Sequence, residues 1–375
     1  SEGKFAEAAR AYQDILNINL DQGIDSVLIR QQMAKALAKA DNFDAAIEEY
    51  KLVLASKQTD TKADIAERNR IRRLLIDSVV ARSTQLSSES SSSKASRQRA
   101  VDLASYAVEL SRTDEKRIAD AMTCLSIAHY RNGDFNSAHR AIAEFLKTGA
   151  RGNLFVVYLI LAAAHHQLGE KDLAETCILA ADNLWPGGTG SPQRLIKYEW
   201  LRREVTQQLF GEPNLPRRRT NVVEQERIDS DLVDAYPDAP GFRRMRGYSR
   251  IQLGKWAAAA TDFSDARRMA QVRLAYFDTC HAWMLWHQGK RAELEQIQRR
   301  LINVAQDEGF YSSDERSIAV FQLLVTSDNE DDAQLIFDCY DGASLQRALA
   351  TYRLGRYQDA IRLLENQLSS LEAPT

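Results

Sequence analysis

Arg131-Asn132-Gly133-Asp134-Phe135-Asn136-Ser137-Ala138 is the stretch that decides the fold. Before it, Ala121, Leu125, Ile127 and Ala128 recur at spacings of three and four residues. After it, Phe135, Ala138, Ile142 and Phe145 do the same. Such spacing lays one apolar stripe along each of two successive helices. Gly133 stands where the first helix must end in a conformation that residues with a Cβ adopt poorly. Ala138 is small where the two helices would cross, so the spacing predicts a close antiparallel hairpin.

The same signal returns along the chain. It reads Gly3-Lys4-Phe5-Ala6-Glu7-Ala8, Asp41-Asn42-Phe43-Asp44-Ala45-Ala46, Gly254-Lys255-Trp256-Ala257-Ala258-Ala259 and Gly355-Arg356-Tyr357-Gln358-Asp359-Ala360. Gly169, with Tyr158, Leu161, Ala162, His165, Ala174, Ile178, Ala181 and Pro186 around it, lies 36 residues beyond Gly133. That period, near the roughly 34 residues of the tetratricopeptide repeat, and the residue pattern resemble that family. The match is degenerate in single units: Ser126 stands where the family prefers Gly, and Met122 where it prefers Trp. The resemblance implies an all-α fold, a right-handed superhelix of stacked helix pairs.

Helix pairs are expected at about 26–56, 66–111, 117–148, 153–184, 240–271, 273–304, 314–340 and 343–370, preceded by a lone second helix at 3–17. A piece of a longer polypeptide is the expectation for a chain that opens in mid-repeat. A serine-rich insertion near 85–95 reads as a loop between helices. Pro186-Gly187-Gly188-Thr189-Gly190-Ser191-Pro192 breaks the pattern. A solitary helix at 194–210 follows, striped with Tyr198, Leu201, Val205 and Leu209, and reads as a cap for the first array. The expected organisation is a first array over 1–211, a linker at 212–221 and a second array over 222–375.

Composition is that of an ordinary soluble chain, with 27% charged and 44% hydrophobic residues. A net charge of −3 gives no global attraction to nucleic acid or anionic membrane. Cys124, Cys177, Cys280 and Cys339 are far apart inside apolar stretches and read as small hydrophobes. A reducing, cytoplasmic compartment fits them. No apolar run approaches the ~20 residues of a membrane span.

Two stretches show a narrower resemblance. One runs from Leu154 to Leu209 and contains Ala162-Ala163-Ala164-His165-His166-Gln167-Leu168-Gly169 and Trp200-Leu201-Arg202-Arg203-Glu204; the other runs from Ala235 to Gly289. Both are similar to repeat regions of large bacterial proteins that also carry serine/threonine kinase or WD40 domains. The kinase motifs themselves are missing from this chain. Gly187-Gly188-Thr189-Gly190 lacks the Lys-Ser/Thr ending of a phosphate loop and reads as linker. None of the six histidines forms a metal motif. His129 and His165 hold equivalent positions in successive units and read as packing residues. No catalytic residues, metal or cofactor are expected, and the chain reads as a non-enzyme.

Function must then lie on the non-core face of the first helix of each pair, the A helix, which the family places on the concave side. That mapping gives Gln31, Lys35 and Lys39, then Thr123, Ile127, Tyr130 and Arg131. Leu159, Ala163, His166 and Gln167 follow, and the second array adds Arg244, Tyr248, Gln252, Thr279, Trp283, Trp286 and His287. The Asn residues of the clamp by which chaperone-binding relatives hold a C-terminal carboxylate are missing. Arg243, Arg244, Arg246 and Arg250 beside the aromatic residues would suit an acidic or phosphorylated peptide. The leading expectation is a scaffold binding a protein or peptide partner, with neither nucleic acid nor membrane as partner. Two alternatives stand beside it: a regulatory segment of a larger signalling enzyme, and a hydrolase or transferase with a site between the arrays.

Overall fold

The structure, a computed structural model, describes residues 2–18, 26–56, 62–88, 93–112, 114–149, 153–184, 192–213, 217–218, 220–270, 278, 281–282, 284–286, 288–306, 334 and 345–372. Among the described residues it is all-α, with no strand. The expected pair at 314–340 lies outside them, Gln334 apart, as do Cys280 and Cys339. By internal contacts the chain divides into two compact units, Ser1–Leu146 with Ala150–Thr220, and Asn221–Thr375 with Lys147–Gly149.

The first unit holds α1 (Glu2–Ile18), α2 (Ser26–Lys39), α3 (Phe43–Ser56), α4 (Lys62–Ser88), α5 (Lys94–Ser111), α6 (Glu115–Arg131), α7 (Phe135–Thr148), α8 (Leu154–Gln167), α9 (Lys171–Asn183) and α10 (Pro192–Phe210). The second holds α11 (Val222–Ala235), α12 (Pro240–Gln252), α13 (Trp256–Met269), α14 (Arg291–Gln306), α15 (Leu345–Arg353) and α16 (Tyr357–Glu372). Within each unit, helices that follow one another pack together in helical-repeat fashion, as α1 to α6 do in sequence, α8 with α9, and α11 with α12 and α13.

The turns explain the recurrent motif. Gly133, Gly169, Gly254, Gly289 and Gly355 all have φ between +67° and +85°. In each turn the residue after the glycine donates its N–H back over the helix end: Asp134 to the His129 carbonyl at 3.0 Å, Glu170 to His165 at 2.8 Å, Lys255 to Arg250 at 2.8 Å. Two otherwise orphaned carbonyls are thereby satisfied at each helix end. Asp41, at φ +55°, does the same for α2.

The cores sit between these helices. Tyr50, Ile71, Leu75, Val79, Ala107 and Ala121 join α3, α4, α5 and α6 in one buried cluster. Cys124 lies in a second, with Leu86, Ala100, Val101, Ala104 and Ala128. Cys124 and Cys177 are free, and burial raises both thiols above their ordinary range. The serine-rich stretch departs from the expected loop at its edges. Ser87 and Ser88 continue α4, because their hydroxyls bond to carbonyls four residues back, Ser87 to Ser83 at 2.8 Å. Ser93 caps α5 by accepting from the Ser96 N–H at 3.1 Å. Residues 89–92 lie outside the described ones.

Gly247 shows how closely a hairpin closes. It is buried in the middle of α12, seven residues before the turn glycine, where α6 carries Ser126. A Cβ there would stand 2.9 Å from the Phe263 ring of α13. Phe263 is fully buried and stacks edge-on against Tyr248, so it has nowhere to retreat. Gly247→Ala is therefore expected to destabilise the second unit by about 1–3 kcal/mol in urea or thermal unfolding. An unchanged midpoint would mean that α12 and α13 are less tightly seated.

Candidate partner-binding face

α8 is the last A helix of the first unit. Its sequence, Leu-Phe-Val-Val-Tyr-Leu-Ile-Leu-Ala-Ala-Ala-His-His-Gln, is apolar on every side, and every residue from Phe155 to His165 is buried. The expectation that Leu159 and Ala163 line an open groove is thus corrected. Both are fully buried, and α10 packs on α8 with its own Leu201 and Val205 buried.

α10 touches a different helix on each flank. On one, Tyr130 of α6 donates its hydroxyl to Glu204 Oε1 at 3.0 Å, and Arg131 Nη1 stands 2.5 Å from Glu204 Oε2. The Arg131 guanidinium also lies 4.5 Å from the centre of the Trp200 ring. Trp200 remains 48% exposed. Burial first, and then the Glu204 carboxylate, raises the Tyr130 phenol well above its ordinary range, so it stays a hydrogen-bond donor.

On the other flank, Arg202 reaches the end of α9. Its Nε and Nη2 donate to the two oxygens of Asp182 at 2.7 and 2.9 Å, and both side chains are only 2% exposed. This planar two-bond geometry suits a guanidinium. Asp182 Oδ2 also accepts the Arg218 N–H at 3.1 Å, and Thr220 is held by Asn183. Near the start of α8, Tyr198 packs its ring on Phe155 and accepts a hydrogen bond from Asn153.

The other expected residues fall as follows. Gln31 is buried and donates to Glu67 of α4 at 2.8 Å, which takes it out of any groove. Lys35 is half-buried; Lys39 is exposed, with its ammonium 5.0 Å from the Phe5 ring centre. Thr123 and Ile127 are half-buried, His166 is half-buried at the end of α8, and Gln167 is exposed. His165 is buried, with Nδ1 2.5 Å from Glu170, and its ring meets that of His139 edge-on at 5.1 Å. Burial lowers the pKa of both imidazoles below the ordinary value. Among the described residues no cluster of three or more side chains could hold a metal.

In the second unit, the arginines differ from the expected anion-binding strip. Arg246 donates to both oxygens of Asp262, at 2.7 Å for the shortest contact, and Arg250 Nη1 joins them at 2.8 Å. Asp262 is 1% exposed. Arg250 also holds Glu226 at 3.1 Å, and Arg243 leans on Asp265 at 3.6 Å. A buried carboxylate such as Asp262 demands this pairing, so the charges of Arg246 and Arg250 are met from within. Arg244 lies with its guanidinium 5.8 Å from the Tyr248 ring centre. Trp286 is 46% exposed. Gln252 is exposed, and Thr279, Trp283 and His287 lie outside the described residues.

Trp200, Glu204, Arg202 and Asp182 were not among the expected site residues. A signal existed for the first two. They stand four apart on one side of α10 and off its apolar stripe, which is how a helix meets a second neighbour at its flank.

No protein-family model matches the chain, and no curated protein does. Among solved structures it is similar to the human IFIT1 dimer with m7Gppp-AAAA, at 11% identity and a TM-score of 0.25, over 99% of this chain and 96% of that one. Among the described residues no helix is long and apolar enough to cross a membrane.

Arg202→Met leaves the Asp182 carboxylate buried without its guanidinium and is expected to cost about 3–5 kcal/mol. Adding Asp182→Asn removes the stranded charge yet keeps an acceptor for the Arg218 N–H, so the double variant should recover about half or more of the loss. Chemical unfolding of the three proteins checks this; a double variant as weak as the single one would contradict it.

Asp229 offers a second test. Burial between α11 and α12 raises its carboxyl to about 6, despite hydrogen bonds from Ser249 at 2.6 Å and Gln225 at 2.8 Å. A carboxyl raised on folding favours the protonated state, so the folded form loses stability as pH rises from about 4 to above 6. Asp229→Asn should remove that loss, about 2–3 kcal/mol for a shift of this size. Urea midpoints of wild type and variant at pH 4.5 and 7.5 should converge at the lower pH and differ in favour of the variant at the higher. Parallel pH profiles would refute the assignment.

Proposed function

We propose that this chain is a non-enzymatic scaffold of tetratricopeptide type, taking a segment of a protein partner on the A-helix faces of its repeats. The observation that supports the reading most is α10 itself. A helix seated on α8 and flanked by Tyr130 and Arg131 is received through an aromatic ring, a guanidinium and a carboxylate. That is the composition of recognition interfaces.

In the second unit the proposed strip is Arg244 and Tyr248 of α12 with Trp283, Trp286 and His287. In the first it includes Lys35, Lys39 and His166. Arg246 and Arg250 meet Asp262 and Glu226, so these two arginines are not open to a phosphate. A cytoplasmic setting, in a bacterial multidomain protein, fits the resemblance drawn from Leu154–Leu209 and Ala235–Gly289.

Affinity capture with the full chain, read by quantitative mass spectrometry, tests the reading. A specific protein should be enriched by wild type and reduced about tenfold or more by Arg244→Ala/Trp286→Ala, since two interface anchors can each carry ~2 kcal/mol. Circular dichroism should show that variant folded as wild type does. Retention of every enriched protein by the folded variant would refute the second-unit strip; enrichment of none by wild type would refute the scaffold reading.

A further inference from the structure

α10 is the odd helix of the first unit. It is not one arm of a hairpin: it follows α9 yet lies across α8, where an open A-helix face is expected. Among the described side chains its hold on that face is modest in apolar terms. Of its described apolar side chains only Leu201 and Val205 are buried; Tyr198 and Leu209 are half-buried, and Trp200 and Phe210 are exposed. Tyr198 adds its ring on Phe155, and the other described contacts are polar, through Glu204 to Tyr130 and Arg131, Trp200 to Arg131, and Arg202 to Asp182. Polar contacts of this kind, made within one chain, resemble those of transient rather than permanent interfaces. The buried pair does not alter this. Two ions lose in hydration roughly what they regain from each other, so Arg202 and Asp182 set the register of α10 more than they tighten it.

We infer that α10 is an occupant in cis of the first unit's binding face, displaced by a partner helix that carries an aromatic residue and, four positions later, a glutamate. The inference rests on the scaffold reading above and gives the partner its chemistry. The aromatic ring takes the place of Trp200 on the Arg131 guanidinium. The glutamate takes the place of Glu204 between Arg131 and the Tyr130 hydroxyl. Two small apolar residues on the adjoining stripe replace Leu201 and Val205 over α8. Charge complementarity selects the partner, because Arg131 faces the interface and the Tyr130 phenol stays protonated as a donor. The scaffold is then self-limited: a partner engages this face only by outcompeting a helix present at the high effective concentration of the same chain.

The test is an exchange of charge in the full chain. The probe is a fluorescein-labelled peptide of residues 192–212, in its native sequence and with Glu204→Arg. Wild-type chain should bind neither peptide appreciably in fluorescence anisotropy, since its face is filled. Arg131→Glu sets a carboxylate against Glu204, loosens α10, and should bind the Glu204→Arg peptide at least about tenfold more tightly than the native one. A variant that is folded by circular dichroism and binds neither peptide, or both equally, overturns the inference. Should Arg131→Glu fail to fold, Trp200→Ala/Glu204→Ala replaces it: α10 is weakened from its own side, and the native peptide should bind about tenfold more tightly than to wild type. Equal binding overturns the inference there too. If exchange fails while affinity capture still enriches a partner, α10 is a fixed part of the fold and the scaffold reading stands; if both fail, both fall.

Discussion

A helix that is apolar on every face needs cover on every face, and α8 sets that demand for the first unit. Buried residues run without a break from Phe155 to His165. A surface helix of a repeat ordinarily shows one apolar stripe and leaves its other side to water or to a ligand. Here α9 packs on α8 as its hairpin partner, α6 as its neighbour in the array, and α10 over what is left. Arg202 could not be drawn into such surroundings without Asp182. The residues after α10 then bond back to Asp182 and Asn183, so the end of the first unit is organised around the requirement of one helix.

The repeat was legible in the sequence because it is carried by local chemistry. A residue that tolerates positive φ ends one helix, an aromatic and a small residue open the next, and each hairpin follows from a few neighbouring positions. Gly133, Gly169, Gly254 and Gly355 fall at the turns where the motif placed them. The site was legible only in part. The pattern places Tyr130 and Arg131 on α6, but the residues they meet lie 69–74 positions further on, in α10. The stripe of Tyr198, Leu201, Val205 and Leu209 shows that α10 has a face to bury, and says nothing about which helix receives it. Leu159 and Ala163 were misplaced for the same reason. On a helix apolar all round, periodicity does not distinguish a covered face from an open one.

The arginines of α12 show a related limit. Four of them within eight residues resemble an anion site when read alone. Asp262 of α13 and Glu226 of α11 come from other helices, and buried Asp262 with half-buried Glu226 pairs Arg246 and Arg250 within the unit. Arg131 in the first unit keeps a different balance. Its carboxylate partner is supplied by α10, with a half-exposed tryptophan at its side. The functional distinction between the two clusters is therefore whether the counterion belongs to the permanent core or to a helix that can leave.

Native-state hydrogen exchange, read by mass spectrometry on the full chain, addresses this most directly. If α10 is an occupant of the A-helix face, its amides should exchange through a partial opening that spares α9 and most of α6, and amides of α8 beneath it should gain only the exposure of one face. If α10, α8 and α9 exchange together, through a single opening as costly as unfolding the unit, then α10 is an integral part of the core and the face over α8 is closed for good.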